Sequence, residues 1–194
     1  MTHIVKLSAQ EILILQEKMS YLQDEDSYKK LFYHFYPVLL SFCTAILNNK
    51  EDAEEVVSEV MLKVWTMGEA LTRVDNLTVY LFTAARNKAY DALRKKKRSI
   101  ATISISDSIQ EDIIDKNSPE NEYTRAELEE FVRKTVGALP TQSQLVFRLV
   151  KEQGLPYKQV TQVLGISLNT AETHMRLALK KIRTALDEYL TEKK

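Results

Sequence analysis

Along most of the chain, apolar residues recur at three- and four-residue steps, the spacing that lays one face of an α-helix against a core. Ile12, Leu13, Leu15, Met19 and Leu22 form an amphipathic segment within residues 1–23, expected to pack on the helix that follows. That helix runs from Asp26 to Leu47 and is dense in aromatics. Pro37 is expected to bend it or split it in two, because proline lacks the N–H that continues the ladder. Asn48 and Asn49 stop one helix and cap the next, KEDAEEVVSEVMLKVW, whose Ala53, Val56, Val57, Val60, Met61, Val64 and Trp65 make a continuous apolar stripe. A polar connector, Gly68 to Thr78, leads into VYLFTAARNKAYDALRKKKR, a helix with a basic end. Residues 99–122 then break the pattern with Ser, Thr, Asn, Pro and acid, the composition of a linker. Its Ile–Ser alternation imitates a strand, but a single strand makes no sheet.

The pattern resumes near Tyr123. Ala126, Leu128, Phe131, Val132 and Val136 predict one helix, ended by Leu139 and Pro140. Thr141 is placed to cap a second, with Gln144 in the capping-box position, and Leu145, Val146, Leu149 and Val150 carry it towards Gly154. A third helix covers Tyr157 to Leu164, and Gly165 supplies the left-handed backbone of a helix end. Ile166 fills the corner, and Ser167 caps a fourth helix with Leu168, Ala171, Met175, Ala178, Leu179, Ile182 and Leu186 facing inward. The fold class is therefore all-α: two small helical domains, 1–98 and 123–194, joined by the linker 99–122.

The last two helices and their Gly-Ile-Ser corner form a helix-turn-helix whose outer face carries Asn169, Glu172, Thr173, Arg176, Lys180 and Arg183. Such a face suits a major groove; a merely solvated face of a helical protein has the same look.

Composition narrows the class. Hydrophobic residues make up 44% and charged residues 28%, as in an ordinary globular protein, and four Gly with four Pro are too few for a turn-rich β-fold. The net charge of zero argues against indiscriminate coating of nucleic acid, but the charge is divided: the linker is acidic and the C-terminal domain basic. The single cysteine, Cys43, can form no internal disulfide, which suits a reducing cytosol. No signal peptide is evident and no apolar run approaches the length of a bilayer span, so the expectation is a cytoplasmic protein without membrane insertion. Three histidines, one cysteine and no glycine-rich phosphate loop leave nothing to catalyse with, and neither cofactor nor metal is expected. His34, among the aromatics, reads as a packed histidine.

Two charge clusters allow more than one reading. Glu51, Asp52, Glu54 and Glu55 crowd a helix N-terminus, where acids suit the macrodipole; they also make an acidic face for a basic partner helix. The basic residues between Arg86 and Arg98 are opposed by Asp91 alone. They make a solvated face or, with the aromatics upstream, a surface for unpaired bases and their phosphates.

Together and in this order the segments resemble the extracytoplasmic-function (ECF) group of bacterial sigma factors, the promoter-specificity subunits of RNA polymerase. EDAEEVVSEVMLKVW resembles the helix that docks on the coiled coil of the polymerase β′ subunit, and YLFTAARNKAYDALRKKKR the helix beside the melted −10 element. The segment from Ala138 to Arg183 resembles the region 4 domain that reads the −35 duplex. The resemblance implies polymerase docking through Asp52, Glu55 and Glu59. It implies capture of a flipped −10 base by the Gly68–Thr78 connector with Asn76 and Tyr80. Arg86, Asn87, Arg94, Lys95, Lys97 and Arg98 would hold the neighbouring strand and upstream duplex. Contacts to the −35 element fall on Asn169, Thr170, Glu172, Thr173, Arg176 and Lys180. It further implies the β flap of the core enzyme as a partner, an anti-sigma factor, and a linker that threads the RNA-exit path.

The recognition helix departs from the family pattern at Ala171, Glu172 and His174, where many members carry Val, a basic residue and Arg. Glu172 is suited to cytosine N4 and Arg176 to guanine O6 and N7, so no −35 sequence carries over. The competing reading is a stand-alone helix-turn-helix regulator that binds duplex DNA without polymerase. It explains Leu155–Arg183 and leaves the acidic helix, the aromatic-basic helix and the acidic linker without a role.

Overall fold

Capping groups decide where the first helices begin and stop. The computed structural model describes residues 7–102 and 125–191. Ser8 opens α1 (Ala9–Leu22) with a reciprocal box: its hydroxyl accepts the Glu11 N–H while the Glu11 carboxylate accepts the Ser8 N–H at 2.8 Å. Asp24 caps α2 (Glu25–Leu47), its carboxylate accepting from the Ser27 N–H at 2.9 Å. Asn48 ends α2 in the left-handed region at φ 49°, and Asn49 caps α3 (Lys50–Thr66) by accepting from the Asp52 N–H at 2.7 Å. Both asparagines do what their positions in the sequence predict.

The connector after α3 is more ordered than a polar loop. Residues Gly68–Arg73 wind into a 3₁₀ turn that buries Leu71, and α4 then runs from Leu77 to Thr102, four residues past the expected domain end. The residues of the expected linker beyond Thr102 lie outside the described residues.

Helix α2 is the centre of this first unit, covered by α1, α3 and α4. By length and apolar content it could cross a bilayer, with mean hydropathy 1.3 over one window, contrary to the expectation of no such stretch. Its apolar side chains are instead the core: Leu31, Phe35, Leu39 and Phe42 are essentially inaccessible, and Phe42 meets Phe82 of α4 edge-on at 5.1 Å. Each such burial contributes roughly 1.5–3 kcal/mol. Pro37 does not split the helix. The carbonyl it leaves unserved is that of Tyr33, whose side chain is 59% exposed, so water can reach this side of α2. His34 is packed as expected, accepting from the Leu7 N–H at 3.2 Å.

The second unit contains α5 (Arg125–Gly137), α6 (Thr141–Phe147), a π-type turn (Arg148–Glu152), α7 (Tyr157–Leu164) and α8 (Leu168–Thr191). The predicted Thr141 cap is corrected: Pro140 occupies the cap position, no side chain caps α6, and Gln144 is buried. A prolyl carbonyl with fixed φ starts the first turn, and the Gln144 N–H bonds back to it at 3.0 Å. Gly165 takes φ 65° at the end of α7, and Ser167 accepts from the Thr170 N–H at 3.1 Å, as the corner predicts.

The two units pack together. Helix α7 lies against α4, and one apolar cluster runs from Leu81 and Phe82 through Leu145 and Leu149 to Val160 and Val163. The Arg86 guanidinium donates to the Val163 carbonyl at 2.8 Å, and Gln142 donates to the Tyr90 hydroxyl at 3.2 Å. Arg86 passes so close to Gly165 that a β-carbon there would sit 2.8 Å from Nη1. Glycine is favoured at this position by its φ, and a side chain there would push the Arg86 guanidinium aside.

Candidate nucleic-acid interface

Helix α4 starts where the 3₁₀ turn ends, and Asn76 makes the junction: its Oδ1 accepts from the Val79 N–H at 3.0 Å. That cap leaves the amide Nδ2 without a partner among the described residues, directed by no protein bond. One turn on, the Tyr80 hydroxyl donates to Met67 Sδ at 3.3 Å, which ties its ring to the residue before the 3₁₀ turn. Asn76, Tyr80 and Asn87 line one recess of about 660 Å³, with Val74 and Lys88 beside them and Gln159 and Gln162 of α7 closing one side. The structure thus gathers three residues that the sequence only suggested, in a space large enough for a nucleotide. Arg86 is the exception, spent on Val163 and on the Asn87 Oδ1.

A second recess of about 520 Å³ separates α3 from α4, lined by Asp52, Glu55, Glu59, Lys88, Arg94 and Lys95, among others. Here the sequence missed a feature. The acids expected to dock on polymerase face two cations of α4 that were not among the expected DNA contacts: Lys96 pairs with Asp52 at 3.0 Å, and Lys88 pairs with Glu59. Glu55 is exposed between them. Arg94 pairs with Asp91 on its own helix, and this hydrogen bond first, then its charge, holds the Asp91 carboxyl below the usual range. These pairs are about half exposed, so each is worth only about 0–1 kcal/mol. Arg98 is exposed, and the side chain of Lys97 lies outside the described residues. No local spacing marks such pairs, because the partners are 29 and 44 residues apart.

Helix α8 presents the third surface. Asn169, Glu172, Arg176 and Lys180 are exposed, and Thr170 and Thr173 are partly covered. Ala171, Met175 and Ala178 are buried, as predicted. Leu168 and Leu179 are not: they stand 52% and 44% exposed, because the buried arc of α8 is narrower than the apolar periodicity. His174 turns away from the outer face, its Nδ1 lying 3.2 Å from the hydroxyl of buried Ser143. This residue therefore makes a polar contact inside the second unit and, among the described residues, none on the outer face. Arg176 and Lys180 make no ion pair among the described residues.

Chemistry of other kinds finds little here. Among the described residues no three His, Cys, Asp or Glu converge as metal ligands. Cys43 is fully buried, and burial pushes its thiol up to about 12, so it stays protonated at neutral pH.

Comparison with known proteins identifies the family of the chain. Residues 31–99 match Sigma-70 region 2 and residues 132–182 match Sigma-70 region 4, together more than half of the chain. The chain is 25% identical over 169 residues to the ECF RNA polymerase sigma factor RpoE of Cereibacter sphaeroides, covering 83% of this chain and 87% of that protein. It is 24% identical to the RNA polymerase sigma factor YlaC of Bacillus subtilis, covering 84% and 95%. Among solved structures, RpoE of Bartonella quintana in complex with the anti-sigma factor NepR superposes with a TM-score of 0.59 at 20% identity, over 82% of this chain and 96% of that one. CnrH in complex with the cytosolic domain of CnrY gives 0.54 at 19%, over 92% and 98%. These likenesses establish the fold; the family matches and relatives establish the lineage. The chain belongs to the ECF group of RNA polymerase sigma factors, which direct the enzyme to promoters at transcription initiation.

Proposed function

We propose that the chain performs promoter selection by division of labour, with docking and −10 capture in residues 1–98 and −35 reading in residues 123–194. The carrying observation is the gathering of Asn76, Tyr80 and Asn87 around one nucleotide-sized recess beside the cations of α4. A base drawn into it stacks on Tyr80 and hydrogen-bonds to the free Asn76 amide, offsetting the few kcal/mol that unstacking costs. Arg94, Lys95, Lys97 and Arg98 then follow the phosphates upstream, joined by Arg86 once α7 leaves α4. On α8, Arg176 and Glu172 read base edges, while Asn169, Thr170, Thr173 and Lys180 set the register on the phosphates.

Asp52, Glu55 and Glu59 form the docking face for the basic β′ coiled coil of core polymerase, and α5–α8 meet the β flap. A basic partner helix takes the place that Lys88 and Lys96 hold on these acids, and so docking hands two cations to the DNA. The acidic linker 99–122 follows the RNA-exit path. The relatives seen with NepR and CnrY support an anti-sigma factor as the inhibitory partner, acting in the cytoplasm where polymerase and DNA are. The work is binding, with no catalysis by this chain.

The docking assignment is tested by replacing Asp52, Glu55 and Glu59 together with Lys and co-purifying with core enzyme. Loss of the complex with a preserved helical circular-dichroism spectrum is expected. Retention of the complex at wild-type level contradicts the assignment.

A further inference from the structure

Helix α1 precedes the stretch that matches Sigma-70 region 2, residues 31–99, and packs on α2 and on the 3₁₀ turn. One of its side chains does something that packing does not require. Gln16 is 4% exposed, and its Nε2 donates to two carbonyls at once, Leu71 at 3.0 Å and Val74 at 2.8 Å. A primary amide has two N–H donors on one nitrogen, and here both are used. The two acceptors bracket the end of the 3₁₀ turn, where the Val74 N–H also closes on the Leu71 carbonyl at 3.1 Å. Two residues later stands Asn76, with Val74, Asp75 and Asn76 all lining the recess.

We propose that Gln16 is a positioning residue for −10 base capture: it fixes the backbone before Asp75 and Asn76 so that the recess is preformed before DNA arrives. This rests on the reading of that recess as the base pocket. Without the amide, two buried or half-buried carbonyls lose a donor, and the loop must find water or rearrange. A loop that reorders on each capture binds the flipped base less well, because the ordering entropy is then lost at that step. Glutamate in its place presents oxygens to oxygens, and methionine presents nothing. Ser20 supplies a control on the same helix, its hydroxyl donating to the Gln16 backbone carbonyl at 2.6 Å and making no hydrogen bond to the loop among the described residues.

The experiment uses the full chain and its holoenzyme, with Gln16→Met, Gln16→Glu, Ser20→Ala and Asn76→Ala. Amide hydrogen exchange at Val74, whose N–H closes on the braced Leu71 carbonyl, reads the brace, and 2-aminopurine fluorescence at each −10 position of a promoter reads capture. Gln16→Met should speed exchange at Val74 about tenfold and lower the capture signal several-fold, while core binding stays unchanged. Gln16→Glu should do at least as much; Gln16→Met, which introduces no buried charge, carries the test where that variant fails to fold. Ser20→Ala should leave both readouts at wild type. Unchanged exchange in Gln16→Met overturns the brace. Faster exchange with normal capture, where Asn76→Ala does lower capture, overturns its role in positioning. Normal capture in Asn76→Ala contradicts the base-pocket reading itself and removes the function assigned to Gln16.

Discussion

The two helices offered to DNA, α4 and α8, hold their cations in opposite ways. On α4, Lys88, Lys96, Arg94 and Arg86 are engaged with Glu59, Asp52, Asp91 and the Val163 carbonyl. On α8, Arg176 and Lys180 project without ion pairs among the described residues. In the proposed function, the difference lies in what each surface must wait for. Duplex DNA is always present for α8 to meet, whereas single-stranded −10 DNA exists only after polymerase has docked and melting has begun. Cations committed within the chain should bind stray nucleic acid poorly, and the proposed docking of a basic partner on Asp52 and Glu59 would release them when they are needed. Each exchange involves only about 0–1 kcal/mol, so it biases an order of events and locks nothing.

The sharpest way to break this comparison is to disable one helix and ask whether the other survives. Ala171 is fully buried where α8 crosses the core, and Ala171→Glu forces a carboxylate into that space. The cost of an unpaired buried charge is several kcal/mol, so duplex −35 binding should fall about a hundredfold or more. Binding of a single-stranded −10 oligonucleotide to α4 should be retained or rise, because loosening α7 releases Arg86 from the Val163 carbonyl, as read by fluorescence anisotropy. A parallel loss of both would mean that the two surfaces act as one.

Smaller effects sharpen the contrast. Arg176→Ala should remove about 1–3 kcal/mol of discrimination at a single −35 base pair, measured across a panel of base substitutions. An equal loss at all positions would make Arg176 a phosphate contact. Next come salt dependences. Lys180→Gln should flatten the logarithmic salt slope for duplex by about 0.9, the value for one phosphate contact. Lys96→Gln should change the single-strand slope by less than the corresponding 0.7 in the free chain, because Asp52 already holds that charge, and by nearly all of it in the holoenzyme. Equal slopes in the two states would remove the exchange.

The smallest expected effect is that of mild acid. The Asp91 carboxyl is held below its ordinary value of 3.8 by Arg94. The favourable contribution of that pair is complete above the unfolded value and disappears only as pH falls through the lower folded one. Single-strand binding should therefore show no titration of Asp91 between pH 6 and 8, and Asp91→Asn, which frees Arg94, should raise the level of binding there without changing the shape of the profile. A titration of binding in that range that disappears in Asp91→Asn would contradict the assignment.

What could be read from the sequence was what local chemistry decides. Asn48 and Asn49 announce a stop and a start, and Gly165 with Ser167 announces the corner of the helix-turn-helix, because caps depend on residues within four positions. The apolar stripe of α3 was legible for the same reason. The misses share a different origin. Gln16 reaches Leu71 across 55 residues, and Arg86 reaches Val163 across 77, so no window of sequence contains both partners. His174 looked like a surface departure until Ser143 was found behind it. Thr141 carried a cap signal that Pro140 overrode by fixing the backbone one residue earlier. The site was legible as a set of residue types; which of them are already engaged with one another was not.

Run-off transcription tests the central claim most directly, with bacterial core RNA polymerase, this chain and a library of randomised promoters. Transcripts that start downstream of one shared bipartite sequence, and only when the chain is present, are the predicted result. Specific duplex binding by the chain alone, with no such transcript from a core enzyme it co-purifies with, would contradict the account.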